Sequence, residues 1–188
     1  MEYKIIRSAR RTISMQITPD GLVVRAPMRA SAAAIDSFVK AHERWAEKHL
    51  LEAKIAAKEA EESPLTGEDV KRLAGQAKKA IPGRVKYFAK KIGVEYGRIT
   101  IRNQKTLWGS CSAKGNLNFN CLLMLAPPEV IDSVVVHELC HIKHRNHSRS
   151  FYAEVRKAYP EYDRWNAWLT KNGRALLARM AAGEDRNG

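Results

Sequence analysis

The chain has 188 residues and a formal net charge of +13, and its hydrophobic content of 45% is sufficient for a real core. This length suits one domain with a small accessory layer, and the 33 Lys and Arg against 20 Asp and Glu favour anionic partners. Three scattered cysteines without a C-x-x-C pair argue against a secreted disulfide scaffold and indicate reduced thiols.

The N-terminal residues lack the apolar region of a signal peptide, so we expect a cytoplasmic protein. The apolar run 121–126 is too short for a membrane span, which needs about 20 residues, and we expect no membrane partner. The oligomeric state is left open by the sequence.

The first elements should be strands within residues 3–26. Apolar and polar residues alternate over 13–17, and Pro19-Asp20-Gly21 favours a turn. Residues 22–25 would then return as the second strand of an N-terminal β-hairpin.

A long helix should follow, capped by Ser31 and ended by Ser63-Pro64. One stripe of it follows three- and four-residue steps. This stripe comprises Ile35, Phe38, His42, Trp45 and His49. We interpret His42 and His49 as half-buried side chains with a polar neighbour, because that role is more common than metal binding for a histidine on a helix stripe.

A second long helix should begin near Thr66, where Asp69 completes a capping-box variant, and run to about Ile92 before Gly93. Ile81-Pro82-Gly83 should kink or split this helix. Residues 67–105 carry eleven Lys and Arg against three acidic residues. A solvated helix face explains this excess, and an anion-binding face is the alternative.

Three short strands are predicted next, over residues 98–102, 106–110 and 116–120. Pro127-Pro128 should end the sheet and open a helix. Ser148 should cap the following helix, with Phe151, Val155 and Tyr159 facing inward and Pro160 at its end. Trp165, Trp168 and Leu169 indicate a last helix packed on the core, and residues 183–188 should form a loose tail.

The most informative segment is His137-Glu138-Leu139-Cys140-His141, which fits the zinc-hydrolase pattern H-E-x-x-H. Residues four apart on a helix lie on one face, so both imidazoles can point at one metal ion. Glu138 is offset by one position and can reach a water held by that ion. Zinc lowers the pKa of a bound water to roughly 7, so a carboxylate can take its proton.

His147 follows His137 at the ten-residue spacing of the third metzincin ligand. The glycine of that pattern is replaced by His144, so the turn chemistry does not fit, although Asn146 could adopt a left-handed conformation. The helix could also continue to about residue 145. His144 is a rival third ligand, and a carboxylate from Glu154 or Glu161 would serve in a gluzincin-like site.

Other polar side chains near this segment receive weaker assignments. Cys140 should belong to the core, and Asp132 should be exposed. A partner for a ligand imidazole is expected but cannot be identified from sequence. The candidates for stabilising the transition state are Tyr152, Tyr159, Tyr162 and His144, each of which is more readily explained as structural or surface.

The motifs together resemble a known family. The segments Trp108-Gly109-Ser110-Cys111-Ser112, 125–128, 135–141 and Asn146-His147-Ser148 followed by Phe151 occur in the order seen in the YgjP-like metal-dependent hydrolases, relatives of the SprT-like zincins. Tyr152 departs from the Trp that often follows the Phe. The resemblance is strongest over about residues 98–169.

The resemblance implies an α+β fold in which a small antiparallel sheet covers the active-site helix of a zincin-like core, with further helices behind. It implies His137, His141 and His147 as ligands of Zn²⁺ and Glu138 as the catalytic carboxylate. We expect an accessory layer over residues 1–65 and the metallohydrolase core over residues 66–182.

The expected function is a metallopeptidase acting on peptides or proteins. Nucleoside-triphosphate pyrophosphohydrolysis is an alternative, supported by the basic segment and by activity attributed to some members, although no Gly-rich phosphate loop is present. A DNA-associated protease or binding protein is a further alternative, favoured by the net charge.

Overall fold

The computed structural model describes residues 1–18 and 21–184, without the side chains of 59–61 and 181–184. The chain divides into two compact units, of which the first is Met1–Glu59 and the second begins at Ala60. The predicted division after residue 65 remains a proposal.

The first unit contains a three-stranded sheet with β3 (Gly21–Pro27) in the centre. β2 (Ser14–Thr18) pairs with it in antiparallel orientation, with Met15 opposite Val24, as the predicted hairpin requires. β1 (Lys4–Ser8) adds a parallel pair on the other side of β3. Pro19 and Asp20 of the predicted turn lie outside the described residues.

Two helices follow in place of the single long helix that was predicted. α1 (Ala32–Ala41) is capped by the Ser31 hydroxyl, which accepts a hydrogen bond from the Ala34 N–H. His42 leaves the helical conformation with φ −117° and ψ 17°, and α2 (Glu43–Glu62) begins immediately after it. Ile35 and Val39 bury the inner face of α1 in this unit's core.

The second unit is built on α3 (Gly67–Ile92), which starts with the predicted Thr66–Asp69 capping box and ends at Gly93 in the left-handed conformation. The helix is not split at Pro82. A proline within a helix removes a hydrogen bond at a cost of about 3 kcal/mol. Ile81 and Val85 are fully buried on either side of it, so core packing holds both halves of α3 in one helix.

The second sheet is mixed, with β6 (Leu117–Asn120) between β4 (Ile99–Arg102) and β5 (Gly109–Cys111). β5 pairs with β6 in the expected antiparallel sense, whereas β4 is parallel to it. Leu117 and Phe119 point into the core.

Asn120 is fully buried at the end of β6, where its amide group donates to the carbonyls of Gln104 and Leu107 and its Oδ1 accepts from Leu122. It thereby fixes the segment that leads into β5 and caps a short 3₁₀ helix, Cys121–Leu125.

Three further helices complete this unit: α4 (Pro128–Lys143), α5 (Arg149–Ala158) and α6 (Tyr162–Glu184). Every interior position of α4 from Val130 to Val136 except Asp132 is buried, and the helix packs on α3, α5, α6 and β5. The predicted tail is helical at residues 183 and 184, because α6 continues to Glu184, and residues 185–188 lie outside the described residues. No described helix combines the length and apolarity needed to span a membrane.

Candidate metal centre

α4 positions two of the predicted ligands. Pro128 occupies its first turn, and the helix ends at Lys143, two residues earlier than the alternative we had considered. His137 and His141 stand one turn apart near its C-terminal end, with ring centroids 4.8 Å apart. Their rings share one face of the helix, as four-residue spacing requires.

The third histidine reaches the same face through a turn made without a left-handed residue. His144 has φ −126° and ψ 108°, an extended conformation, and no described non-glycine residue has positive φ, so the role considered for Asn146 is not used. Arg145 ties the turn to the sheet by donating to the carbonyls of Ser112 and Ala113. The Ser148 hydroxyl then caps α5, as predicted.

The Nε2 atoms of the three histidines converge. His137 Nε2 lies 3.2 Å from His141 Nε2 and 3.0 Å from His147 Nε2. A tetrahedral ion at about 2.0–2.1 Å from each nitrogen places its ligand nitrogens roughly 3.3 Å apart. The three residues can therefore hold one metal ion, and no carboxylate belongs to this cluster among the described residues.

Phe151 packs behind all three imidazoles. Its fully buried ring lies 4.6 Å from that of His141 and 4.9 Å from those of His137 and His147, measured between centroids. Burying an aromatic ring at this point restricts the rotamers of all three side chains. Phe151 thus links the capped start of α5 to the geometry of the cluster.

The Nδ1 atoms of His137 and His141 are held by partners that leave Nε2 free to bind a metal. His141 Nδ1 lies 2.9 Å from the carbonyl oxygen of His144, to which it can donate. His137 Nδ1 lies 2.9 Å from the hydroxyl of Tyr162, a buried residue at the start of α6. Tyr162 is the ligand's partner that sequence reasoning could not identify, because it lies 25 residues away and reaches His137 only through the packing of α6 on α4.

The environment of His137 and His141 favours their neutral imidazoles. Burial, together with the neighbouring His141 and His147 rings, lowers the pKa of His137 to about 4. Burial also lowers the pKa of His141. Because only a neutral imidazole can ligate a cation, the site needs little or no deprotonation of these two residues near neutral pH.

Glu138 lies beneath β5. Its side chain is 6% exposed, and burial raises its pKa to about 8. Gly109 makes this position available: a Cβ built there would lie 2.7 Å from both Cγ and Oε1 of Glu138. The motif Trp108-Gly109-Ser110-Cys111-Ser112 marked this segment as part of the family resemblance. The motif did not predict that Gly109 contacts Glu138.

A small cavity of about 160 Å³ adjoins the cluster. His137, Glu138, Gly109 and Tyr162 line one part of it, and Trp108 and Leu169 contribute apolar surface. The carboxyl group thus faces a space large enough for water and for part of a substrate.

The rival ligands lie outside the cluster, and so do two of the four candidate transition-state stabilisers, Tyr159 and the His144 ring. The other two lie at the site: Tyr162 contacts His137, and the Tyr152 ring lies 6.1 Å from that of His147 between centroids. Glu154 accepts from Lys143 at 2.8 Å, and Glu161 lies 3.5 Å from Arg164. Tyr159 donates to the Glu129 carbonyl. His144 contributes its main chain to the site, and its ring is not part of the cluster.

Cys140 lies where it was predicted, whereas Asp132 and His42 differ from the predictions in how far they are exposed. Cys140 is fully buried, as expected, and burial raises the pKa of its thiol to about 12. Asp132 is not free at the surface, because its carboxylate pairs with Arg84 at 2.6 Å and is partly covered. His42 has the expected polar neighbour, since its Nδ1 lies 2.8 Å from the Phe38 carbonyl, but it is exposed and not half-buried as predicted.

Comparison with known proteins places these features in context. Among solved structures, the metallopeptidase zymogen of Pyrococcus abyssi abylysin is 25% identical over 50% of this chain and 96% of its own, with a TM-score of 0.45. The metallopeptidase zymogen of Methanocaldococcus jannaschii jannalysin is 23% identical over 49% of this chain and 95% of its own, with a TM-score of 0.44.

A search of curated proteins gave no match. The sequence does match the family model described as YgjP-like, metallopeptidase domain, over residues 11–77 and 70–172. The matched ranges extend over most of the chain and include the H-E-x-x-H helix and His147. The α+β chain described above, a metal-dependent hydrolase, belongs to the YgjP-like family.

Proposed function

We propose that the protein is a zinc-dependent peptidase in which His137, His141 and His147 bind the metal and Glu138 is the catalytic carboxylate. The convergence of three Nε2 atoms beside a buried carboxyl group carries this proposal. Three nitrogen ligands with a fourth position open to water or substrate are typical of catalytic zinc.

The residues divide the chemistry between them. When bound, zinc acts as a Lewis acid and makes water acidic enough to be deprotonated near neutral pH. Glu138 accepts the proton from the attacking water through a carboxylate oxygen and later donates it to the leaving amine. Tyr162 and the His144 carbonyl orient the ligand imidazoles from behind.

The edge of the second sheet supports a peptide as substrate. β5 pairs with β6 on one side only, and Ser110 is opposite Asn118. Asn120 N–H bonds to the carbonyl of Trp108, just before β5, and Ser112, just after β5, donates to the Asn116 carbonyl. With Ser110 opposite Asn118, these bonds place the main-chain groups of Ser110 toward β6. Main-chain groups of Gly109 and Cys111 therefore point away from β6, since antiparallel pairs alternate.

An extended peptide could pair with these outward groups and pass beside Glu138, which touches Gly109. Main-chain pairing of this kind depends little on the side chains of the substrate, so it gives little sequence preference. It favours an unfolded or extended segment over a compact protein surface.

Elemental analysis tests the ligand set. His147→Ala should lose stoichiometric zinc, whereas His144→Ala and Glu154→Ala should retain it. Full zinc in His147→Ala would remove that residue from the site.

Activity tests the reaction class. Zinc-loaded protein should cleave casein or members of a peptide library, and Glu138→Gln should keep zinc and lose turnover, because an amide cannot accept the proton. Nucleoside triphosphates belong in the same experiment. Their hydrolysis by the wild type, with no peptide cleaved, would replace the peptidase by a phosphoanhydride hydrolase.

A further inference from the structure

α3 carries a concentration of positive charge that the metal centre does not use. From Val70 to Val94 the sequence holds eight Lys and Arg and no Asp or Glu. Seven of these eight residues are exposed; Arg84 is partly buried. An ordinary solvated helix alternates charges of both signs, because opposite charges three or four residues apart stabilise it.

Three of these cations form a row along the outer face, and we call Lys79, Lys86 and Lys90 the lysine row. Successive residues turn by about 100°, so steps of seven and four residues return to nearly the same direction. The row spans eleven residues, or about 16 Å along the helix axis. The opposite face of α3 is buried through Leu73, Ala77, Ile81 and Val85, so the row faces away from the core.

The lysine row has no compensating acid in the part of the chain whose side chains are described. Arg72 pairs with Asp69 at 2.8 Å, and Arg84 pairs with Asp132 at 2.6 Å. By contrast, no carboxylate among the side chains that the structure describes forms an ion pair with a member of the row. Lys86 and Lys90 even repel each other across one turn. The fold thus maintains unneutralised positive charge on this face.

The geometry favours nucleic acid over a lipid surface. A helix that binds membranes inserts an apolar face, but the apolar face of α3 is committed to the core. Tyr87 is the single large hydrophobic side chain of α3 that is exposed among the described residues. A row of cations on a helix that is packed into the core instead matches a phosphate backbone, in which each strand carries one charge per 3.4 Å or so of duplex axis.

We propose that the lysine row is a docking surface for the phosphate backbone of duplex nucleic acid. A stretch of about 16 Å of duplex axis carries roughly nine phosphates on its two strands, enough for each lysine to reach one of them. No base contact is implied, so binding should be independent of sequence. The proposal does not depend on the peptidase activity, and either can fail without the other.

The test measures binding of the full chain to a fluorescein-labelled DNA duplex by anisotropy at several salt concentrations. Each neutralised phosphate contributes about −0.9 to the slope of log K against log salt. Three contacts predict a slope of about −2.7 or steeper. A slope of −2.7 corresponds to roughly a 40-fold loss of affinity between 50 and 200 mM salt.

A matched pair of variants separates the lysine row from net charge. Lys79→Gln with Lys86→Gln and Lys90→Gln should flatten the slope by about 2.7. The control replaces three exposed lysines of the first unit, Lys40, Lys54 and Lys58, by glutamine, which removes the same charge. Its slope should stay close to that of the wild type.

Several outcomes would overturn the proposal. They are no wild-type binding at 50 mM salt, binding that does not respond to salt, and equal losses in the two triple variants. Binding to phosphatidylserine vesicles in place of DNA would assign the surface to membranes instead.

Discussion

Burial of Glu138 predicts an unusual pH dependence for the stability of the metal-free protein. The carboxyl pKa is about 8 in the folded chain, against an ordinary value of 4.5. Between these values the folded state keeps a proton that the unfolded state has released. The free energy of unfolding must therefore fall as pH rises through this window, which is the opposite of the usual behaviour of a carboxylate.

The size of the effect follows from one proton and 1.36 kcal/mol per pKa unit. Integrated from pH 6.5 to 9, Glu138 removes about 2 kcal/mol of stability. Glu138→Gln has the same shape without the proton equilibrium. Its stability relative to the wild type should therefore rise by about 2 kcal/mol over that range. Burial of Cys140 also disfavours high pH, but both proteins share that residue, so it cancels.

The assay is urea unfolding in the presence of a chelator at pH 6.5, 7.5 and 9. Exposed Glu95 provides the control, since Glu95→Gln should follow the wild-type curve at every pH. Parallel curves for Glu138→Gln and the wild type would refute the reasoning. They would mean that the buried carboxyl is solvated or neutralised in the metal-free fold.

Two further variants address the architecture of the site. Tyr162→Phe removes the hydroxyl that lies 2.9 Å from His137 Nδ1. Zinc affinity, measured by competitive chelator titration, should therefore drop by roughly 10–100-fold. Unchanged affinity would show that the hydroxyl does not support the His137 imidazole. Gly109→Ala places a Cβ 2.7 Å from the Glu138 carboxyl and should lower kcat/KM for a cleaved peptide about 100-fold with zinc retained. Gly75→Ala, where the new Cβ meets nothing within 4 Å, should keep full activity, and equal activity of the two glycine variants would contradict the packing argument.

The sequence predicted the local features of the site because helix geometry controls them. The four-residue spacing of His137 and His141 fixes a shared face wherever the helix packs. Thr66 and Ser148 were likewise predicted correctly as helix caps, because a cap involves only neighbours within one turn.

Features that depend on distant contacts were not predicted. The bond from Tyr162 to His137 and the approach of Gly109 to Glu138 arise when α6 and β5 pack on α4. The parallel pairing of β4 with β6 was missed for a related reason: alternation identifies strands but not their relative direction.

Local signals also misled at two positions. The break at His42 lacks the glycine or proline that usually marks the end of a helix, so one long helix was predicted instead of α1 and α2. At Pro82 the helix is not split, because buried apolar neighbours outweighed the local cost of the proline, and a kink there stays a prediction.

The central claim is that three imidazoles bind one divalent ion, and X-ray absorption at the zinc edge tests it most directly. Protein loaded with one equivalent of zinc should show three histidine nitrogens at about 2.0–2.1 Å, and His147→Ala should show two. A sulfur ligand at about 2.3 Å, or an unchanged nitrogen shell in His147→Ala, would contradict the account.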